Sequence, residues 1–214
     1  MAAQAGRVVT FIAFEGGDGV GKSTQQRALV EHLRRAGHEV VATRQPGGTP
    51  AGARIREILL DPATGDLAPR AECLLYAADK ADHVAAVIEP ALARGAIVVT
   101  DRYVDSMLAY QGAGRALDWD ELVGLADWAV AGRYPDLTVL LDMDPDQAVG
   151  VKADRDRLEQ AGDEFHRRVR ESFLQMAAAA PERYLVLPAR DPIDSLATRI
   201  AARVDDLLHP RPAD

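Results

Sequence analysis

The stretch Phe11-Ile12-Ala13-Phe14-Glu15-Gly16-Gly17-Asp18-Gly19-Val20-Gly21-Lys22-Ser23 decides the fold of this chain. An apolar run from Val8 to Phe14 closes at Glu15 and leads directly into glycines, which predicts a buried strand feeding a tight turn. Apolar residues at helical spacing then continue from Ser23 to Ala36. Strand, glycine-rich turn and helix therefore form one unit.

The turn itself, Gly16 to Ser23, has the pattern G-x-x-x-x-G-K-S and lies between a predicted strand and a predicted helix. Glycines allow successive backbone N–H groups to point at a phosphate, and the helix N-terminus adds partial positive charge. Lys22 is predicted to reach the outer phosphates and Ser23 to hold a magnesium ion. An ordinary glycine-rich turn would explain neither the Lys-Ser pair nor its placement.

The rest of the chain alternates predicted strands and helices, which indicates an α/β fold with a five-stranded parallel sheet and helices on both faces. After the first strand, strands are predicted at Glu39–Thr43, Ala96–Thr100, Leu137–Asp142 and Tyr184–Leu187. Helices are predicted at Gly52–Leu60, Ala68–Ala93, Tyr103–Tyr110, Asp118–Val130, Pro145–Ala153, Asp163–Ala179 and Ile193–Leu208. We expect one domain over residues 1–214, with disordered tails at 1–6 and 209–214.

Composition limits the classes of function. The chain has 214 residues, 25 basic and 33 acidic, for a net charge of −8, which argues against a protein that coats nucleic acid. A single cysteine, Cys73, cannot form an internal disulfide, so a reducing cytoplasm is the expected compartment. No apolar run approaches the ~18 residues of a membrane span, and no membrane partner is expected.

The chain contains no asparagine. A GTPase of the common type reads guanine with an Asn-Lys-x-Asp loop, and a protein kinase needs an asparagine as a metal ligand in its catalytic loop. Both classes are therefore excluded, although the phosphate loop alone would have allowed a switch, an ATPase or a kinase.

Asp101 and Arg102 follow the third predicted strand. Carboxyl ends of parallel strands line the ligand crevice, so these side chains are expected to face the phosphates. Asp101 is predicted to hold a magnesium-bound water and Arg102 to clamp phosphoryl oxygens. Asp142 also ends an apolar strand and is the alternative metal carboxylate; Asp101 is preferred because an arginine follows it.

Four motifs together make the chain resemble the bacterial thymidylate kinase family. They are the phosphate loop, Thr43-Arg44-Gln45-Pro46-Gly47-Gly48-Thr49, Leu74-Leu75-Tyr76-Ala77-Ala78-Asp79-Lys80, and Asp101-Arg102-Tyr103 followed by Ser106 and Ala109-Tyr110-Gln111-Gly112. They occur in the family's order between about Phe11 and Leu187. The resemblance implies a P-loop nucleoside monophosphate kinase that transfers the γ-phosphate of ATP to dTMP.

The resemblance also implies roles for individual residues. The ATP-binding set would be Gly16, Gly17, Asp18, Gly19, Val20, Gly21, Lys22, Ser23 and Thr24. Substrate binding would use Asp18 at the 3′-hydroxyl, Arg44 at the dTMP phosphate, Tyr76 stacked on thymine, Lys80 and Gln111 near the base, and Tyr110 against C2′. Ser106 and Arg102 complete the substrate-binding set. Periodicity alone would instead place Tyr76 in the core of its helix, and packing or helix termination would account for Tyr110 and Gln111. Arg56, on the helix after the glycine-rich loop, is a weaker candidate for the dTMP phosphate.

Several positions depart from the common family pattern. Lys80 stands where many members have arginine, Met107 where relatives often have a small polar residue, and Gln45 where a glutamate is frequent. A basic lid, about residues 150–162, contains Lys152 to Glu159 and is short. Because the phosphate loop supplies no arginine of its own, Arg155 and Arg157 are the expected catalytic lid residues, although a solvated helix end would also explain them.

The implied ligands are ATP with Mg²⁺ and dTMP, and the implied assembly is a homodimer through helices that include Ala71 to Ala93. Two other functions remain open. The acceptor could be dUMP, UMP or dCMP, because Lys80 and Met107 alter the base site, or the chain could be a nucleotide-binding regulator without kinase activity.

Overall fold

The computed structural model describes residues 10–145 and 162–209. Five strands form one parallel sheet in the order β2-β3-β1-β4-β5. They are β1 (Phe11–Gly16), β2 (Val40–Arg44), β3 (Ile97–Asp101), β4 (Leu137–Asp142) and β5 (Tyr184–Pro188). The predicted fold class is confirmed. The β1 prediction ended too early, because the strand continues through Glu15 to Gly16, and Val8 lies outside the described residues.

Helices connect the strands. They are α1 (Lys22–Arg35), α2 (Pro50–Leu60), α3 (Pro69–His83), α4 (Glu89–Ala93), α5 (Val104–Met107), α6 (Trp119–Val130), α7 (Asp163–Ala179) and α8 (Ile193–Leu208). A π-helical stretch, Val84–Ile88, joins α3 to α4, so the predicted long helix is continuous. A second one extends α5 from Leu108 to Gly114. The predicted helix Pro145–Ala153 lies almost wholly outside the described residues.

Side-chain alternation along β1 divides the core into two layers. Phe11 and Ala13 pack in the cluster that includes residues of α3, α5, α6 and α7, whereas Ile12 and Phe14 pack with α1 and α8. Both faces of the strand are covered, which is why its sequence is a continuous apolar run rather than an alternating one. No helix in the described part of the chain is long and apolar enough to cross a membrane.

The strand order places the site. β1 lies between β3 and β4, so the loop after β1 lies at the point where successive connections diverge to opposite sides of the sheet. Gly16 turns the chain there with φ of 133°, and a Cβ on it would lie 2.4 Å from the carbonyl oxygen of Leu141. Only glycine allows the phosphate loop to leave the sheet this close to β4.

Candidate active site

The phosphate loop connects β1 to α1 as predicted. Gly21 precedes α1 in a left-handed conformation, and no side chain caps the first turn, so the amide N–H groups there remain available to an anion. Lys22 is buried and its Nζ donates to the carbonyls of Gly16 and Gly17. Burial, and then the charge of Arg102, lowers the pKa of Lys22 to about 8.

Asp101 and Ser23 meet at the end of β3. The Ser23 hydroxyl donates to Asp101 Oδ2 over 2.7 Å. Hydroxyl and carboxylate oxygens are ligands that suit Mg²⁺, so this pair fits the predicted metal role. Asp142, the alternative carboxylate, instead receives two hydrogen bonds from Arg170, at 2.7 and 2.9 Å. The structure therefore brings Asp101, and not Asp142, into contact with the phosphate-loop serine.

Arg102 lies at the centre of the site. Its φ of 65° turns the side chain back over the phosphate loop, where Nη1 donates to Gly16 O and Ser106 Oγ, both at 3.0 Å. Nη2 donates to Asp18 and to the Tyr110 hydroxyl. The structure thus gathers three other predicted site residues, Asp18, Ser106 and Tyr110, around the guanidinium of Arg102.

Asp18 is the anionic partner in this group. Although burial opposes it, the charges of Arg102 and Lys22 hold the pKa of Asp18 well below its usual value. Tyr110 also donates to Asp18 Oδ2, over 3.2 Å. Asp18 is therefore a carboxylate at neutral pH, able to accept a hydrogen bond from a ligand hydroxyl.

Glu15 is a residue of the site that the sequence analysis missed. It is fully buried, and its Oε1 accepts from the backbone N–H of Tyr103 at 2.7 Å and of Ser106 at 3.2 Å. The Ser106 hydroxyl donates to Oε2. Burial, followed by the charge of Asp105, raises the pKa of Glu15 to about 7. Its signal in the sequence was a lone charge between an apolar strand and the glycines, which we interpreted only as the end of the run.

Arg102 also lines a cavity, here called the second cavity to distinguish it from the phosphate loop. Tyr76, Lys80, Met107 and Gln111 line it, and each is at most 7% exposed. The Lys80 Nζ lies 5.6 Å from the centre of the Tyr76 ring. Burial lowers the pKa of Lys80. Tyr76 is both buried and part of the cavity wall. Its position is therefore compatible with a role in the core and with contact to a ligand.

Arg44 and Arg56 differ in their position relative to the second cavity. Arg44 ends β2 and is exposed, and it does not line the cavity, whereas Arg56 on α2 does. Arg56 Nη1 donates to the carbonyl of Pro46 over 3.0 Å, which holds it against the Gln45–Pro50 loop. Strand alternation explains the outcome, since Thr43 faces inward to His83 and its neighbour Arg44 is directed outward.

Gln45 supports this loop. It is buried, and its amide nitrogen lies 2.8 Å from Nδ1 of His83, whose Nε2 lies 2.7 Å from the Thr43 hydroxyl. Burial lowers the pKa of His83 to about 4, so the ring is neutral at pH 7. Gln45 thus has a neutral hydrogen-bonding partner. The role of His83 was not recognised from the sequence.

The structure excludes one of the two alternative roles of Gln111, that of ending its helix. Helix termination was one interpretation, but the helix continues past it to Gly114. Its amide nitrogen donates to Glu72 over 3.1 Å, inside the protein. The lid residues Lys152, Arg155 and Arg157 lie outside the described residues.

The phosphate loop lies at the divergence point of a parallel sheet, with Lys22 and Arg102 beside it and a cavity lined by Tyr76 and polar side chains alongside. These features define the class of P-loop enzymes, which bind a nucleotide at this loop. The thymidylate kinase family model matches residues 14–200. A thymidylate kinase of Cutibacterium acnes is 55% identical over 199 residues, covering 93% of this chain and 98% of the relative. One from Deinococcus radiodurans is 50% identical over 202 residues, covering 93% and 98%.

A solved structure agrees with these sequence matches. The crystal structure of thymidylate kinase from Ehrlichia chaffeensis superposes with a TM-score of 0.77 at 32% identity, covering 92% of this chain and 98% of that one. The chain belongs to the thymidylate kinase family.

Proposed function

We propose that this protein transfers the γ-phosphate of ATP to dTMP, giving dTDP and ADP. The observation that carries the proposal is the position of Arg102, which contacts both the phosphate loop, through Gly16, and the residues at the mouth of the second cavity, Asp18 and Tyr110. A donor phosphate in the loop and an acceptor phosphate in the cavity would meet at this guanidinium.

The transfer forms a bond between a dTMP phosphate oxygen and the γ-phosphorus as the bond to the ADP oxygen breaks. No general base is required, because the accepting oxygen is already anionic. Lys22 and Arg102 hold the transferring oxygens, so catalysis comes from positioning and neutralisation of charge. Ser23 and Asp101 would hold the Mg²⁺, which supplies further charge neutralisation at the phosphates.

The second cavity suits a deoxynucleoside. Tyr76 would stack on the base, a contact worth about 1–3 kcal/mol. Lys80 Nζ has no hydrogen-bond acceptor within residues 10–145 and 162–209 and would donate to a base carbonyl. Asp18 would accept from the 3′-hydroxyl. Tyr110, packed at 5.9 Å between ring centres against Phe165, would leave little room for a 2′-hydroxyl.

Three further features are proposed from the sequence. Arg155 and Arg157 would complete the charge around the transferring phosphate when the lid closes. A homodimer would cover α3, where Leu74 is 57% exposed, and neighbouring Ile58 on α2, which is 44% exposed. The single buried, unpaired Cys73 suits a reducing compartment such as the cytoplasm.

Substrate profiling tests the proposal. ADP formation would be measured with ATP and, in separate assays, dTMP, dUMP, UMP and dCMP. The highest kcat/KM is expected with dTMP. Preference for another monophosphate would show that the protein is a kinase for a different pyrimidine nucleotide. ADP formation that does not depend on any added monophosphate would show that it is not a nucleoside monophosphate kinase.

Arg56, rather than Arg44, is expected to bind the acceptor phosphate. Arg56→Met should raise the KM for dTMP by about tenfold or more, because one charge-assisted contact is worth about 1.5–3 kcal/mol. Arg44→Met, the same change on the exposed neighbour, should leave that KM within about twofold of wild type. Steady-state kinetics at saturating ATP provide the comparison, and equal effects of the two variants would reject the distinction.

The lowered pKa of Lys22 predicts a pH dependence. Lys22 must be protonated to attract phosphate, so kcat/KM for ATP should fall by about tenfold per pH unit above about 8, well below the pKa of an ordinary lysine. Lys22→Arg keeps its charge throughout and should show no such decline, at a lower overall activity. Parallel pH profiles for the two proteins would show that another group controls the decline.

A further inference from the structure

Gln111 has one satisfied end and one unsatisfied end. Its amide nitrogen donates to Glu72 Oε1 over 3.1 Å, while its Oε1 is buried and has no hydrogen-bond partner in the described part of the chain. The residue is 1% exposed and lines the second cavity. An unpaired buried acceptor costs about 1–3 kcal/mol, which a ligand donor in the cavity would offset.

The hydrogen-bond partner of Gln111 determines which way its side-chain amide is oriented. Oxygen and nitrogen of a glutamine amide can be exchanged with little change in shape, so the partner must decide. Here the partner is Glu72, whose side chain is fully buried. An ionised carboxylate only accepts hydrogen bonds, so the amide must turn its NH₂ toward Glu72 and its oxygen away from it.

Arg115 keeps Glu72 in this acceptor role. Its Nε donates to Glu72 Oε1 over 3.1 Å and its Nη2 to Oε2 over 3.3 Å, so the guanidinium spans both carboxylate oxygens. The cation is itself supported by the Phe165 ring, 5.3 Å away. Because one guanidinium contacts both oxygens, the Glu72 carboxylate is fixed in orientation and offers the Gln111 amide an acceptor at a fixed position.

We infer that Glu72 and Arg115 are positioning residues that fix the Gln111 amide so that the cavity presents an acceptor to the base, selecting a pyrimidine whose ring N3 carries hydrogen. This inference rests on the proposed function, because it assumes that the base occupies the second cavity. Thymine and uracil donate from N3 and accept at the adjacent carbonyls, so they suit the Gln111 oxygen together with the Lys80 ammonium.

Cytosine has the opposite pattern at this edge. Its N3 is an acceptor and its exocyclic amine is a donor. The N3 lone pair would face the Gln111 oxygen, and the amine would face the Lys80 ammonium. Neither contact can be a hydrogen bond without a rearrangement of the protein. With the Gln111 amide fixed, the cavity distinguishes cytosine from thymine and uracil by their hydrogen-bonding pattern, although the bases are of similar size.

The test uses dTMP and 5-methyl-dCMP, which share the methyl group, sugar and phosphate and differ only at the hydrogen-bonding edge of the base. Glu72→Gln can present either a donor or an acceptor to Gln111, so the amide is free to reverse. We expect the ratio of kcat/KM for dTMP over 5-methyl-dCMP to fall by at least about tenfold. The effect should appear mainly in the two KM values for the monophosphates, with the KM for ATP unchanged.

Two further variants complete the design. Arg115→Lys keeps the charge but binds Glu72 at one point, so it should lower the same ratio by a smaller factor, and it carries the test if Glu72→Gln does not fold. Glu39→Gln is the matched control, since it makes the same chemical change in an exposed ion pair with Arg94, at 2.7 Å. Its ratio should equal that of wild type.

The outcomes separate this inference from the proposed function. A ratio unchanged in folded variants, or an equal loss with both substrates, would overturn the positioning role and leave the dTMP kinase intact. A wild-type protein without kinase activity would reject the function. In that case equilibrium Kd values for the two monophosphates still test the inference, which requires tighter binding of dTMP by wild type and loss of that preference in Glu72→Gln.

Discussion

Replacing Lys22 by alanine should lower kcat by at least about a thousandfold, equivalent to about 4 kcal/mol of transition-state stabilisation, while the protein stays folded. The Nζ of Lys22 is held by the carbonyls of Gly16 and Gly17, directly at the mouth of the phosphate loop. Charge develops on the transferring oxygens at this place. Apart from Lys22, the only lysine within residues 10–145 and 162–209 is Lys80.

The Lys22→Ala substitution should lower activity without lowering the stability of the fold. Since burial lowers the pKa of Lys22 from 10.5 to about 8, the fold disfavours the charged form, and the cost is present in full below pH 8 and vanishes as the pH rises toward 10.5. The charged form of Lys22 therefore lowers the stability of the free protein at pH 7. Removal of the side chain relieves this cost, so the Tm of Lys22→Ala should be no lower than that of wild type.

Turnover with ATP and dTMP and thermal unfolding at pH 7 check the two halves of this prediction. Arg199→Ala, which removes an exposed cation paired with Asp191 at 3.0 Å, is the control and should keep wild-type turnover. Wild-type-like turnover of Lys22→Ala would overturn the assignment of the phosphate loop. A large fall in Tm would mean that the lysine is structural.

Local signals in the sequence were sufficient for the sheet and for the phosphate loop. The boundaries of β4, α7 and α8 agree with the predicted ones, because each begins and ends at a sharp change of hydrophobic pattern. The extension of α5 to Gly114 was not predictable, since the chain after Gln111 contains two glycines that would ordinarily end a helix. Packing against α7 keeps it helical.

The parts of the site that were missed depend on contacts between distant segments. Glu15 and Ser106 are 91 positions apart, and Gln111 and Glu72 are 39 apart. From the sequence alone, a buried carboxylate cannot be distinguished from one on the surface, because the hydrogen-bond donors or cations that stabilise it lie on another element. Arg44 and Arg56 show the same limit, since both are arginines near one loop and only the direction of each side chain decides which enters the cavity.

Arg102→Lys should reduce kcat/KM for dTMP by about a hundredfold to a thousandfold even though the charge is retained. The guanidinium donates through Nη1 to Gly16 O and Ser106 Oγ and through Nη2 to Asp18 and Tyr110. These acceptors lie on two sides of a planar fork. A lysine ammonium is a single point on a flexible chain and cannot occupy both positions.

The backbone conformation at position 102 is shared by the wild type and the variant. Arg102 adopts φ of 65°, and the Glu15 carboxylate holds the turn by accepting from the N–H of Tyr103. Lysine at 102 inherits the same backbone, so the variant isolates the shape of the head group from the geometry of the turn. In the variant, the Lys22 ammonium would still lie near Asp18 and stabilise its negative charge. Loss of the fork should therefore raise the KM for dTMP and lower kcat together, with little change in the KM for ATP.

Kinetics of Arg102→Lys beside Arg199→Lys provide the comparison, since the second variant makes the same change at an exposed ion pair. We expect Arg199→Lys to retain wild-type constants. If Arg102→Lys also retained them, charge alone would suffice at this position, and the guanidinium could not be the element that joins the donor and acceptor phosphates. A defect confined to the KM for ATP would place Arg102 on the donor side only. A higher KM for dTMP together with a lower kcat is the result expected when one planar cation contacts both the phosphate loop and the acceptor cavity.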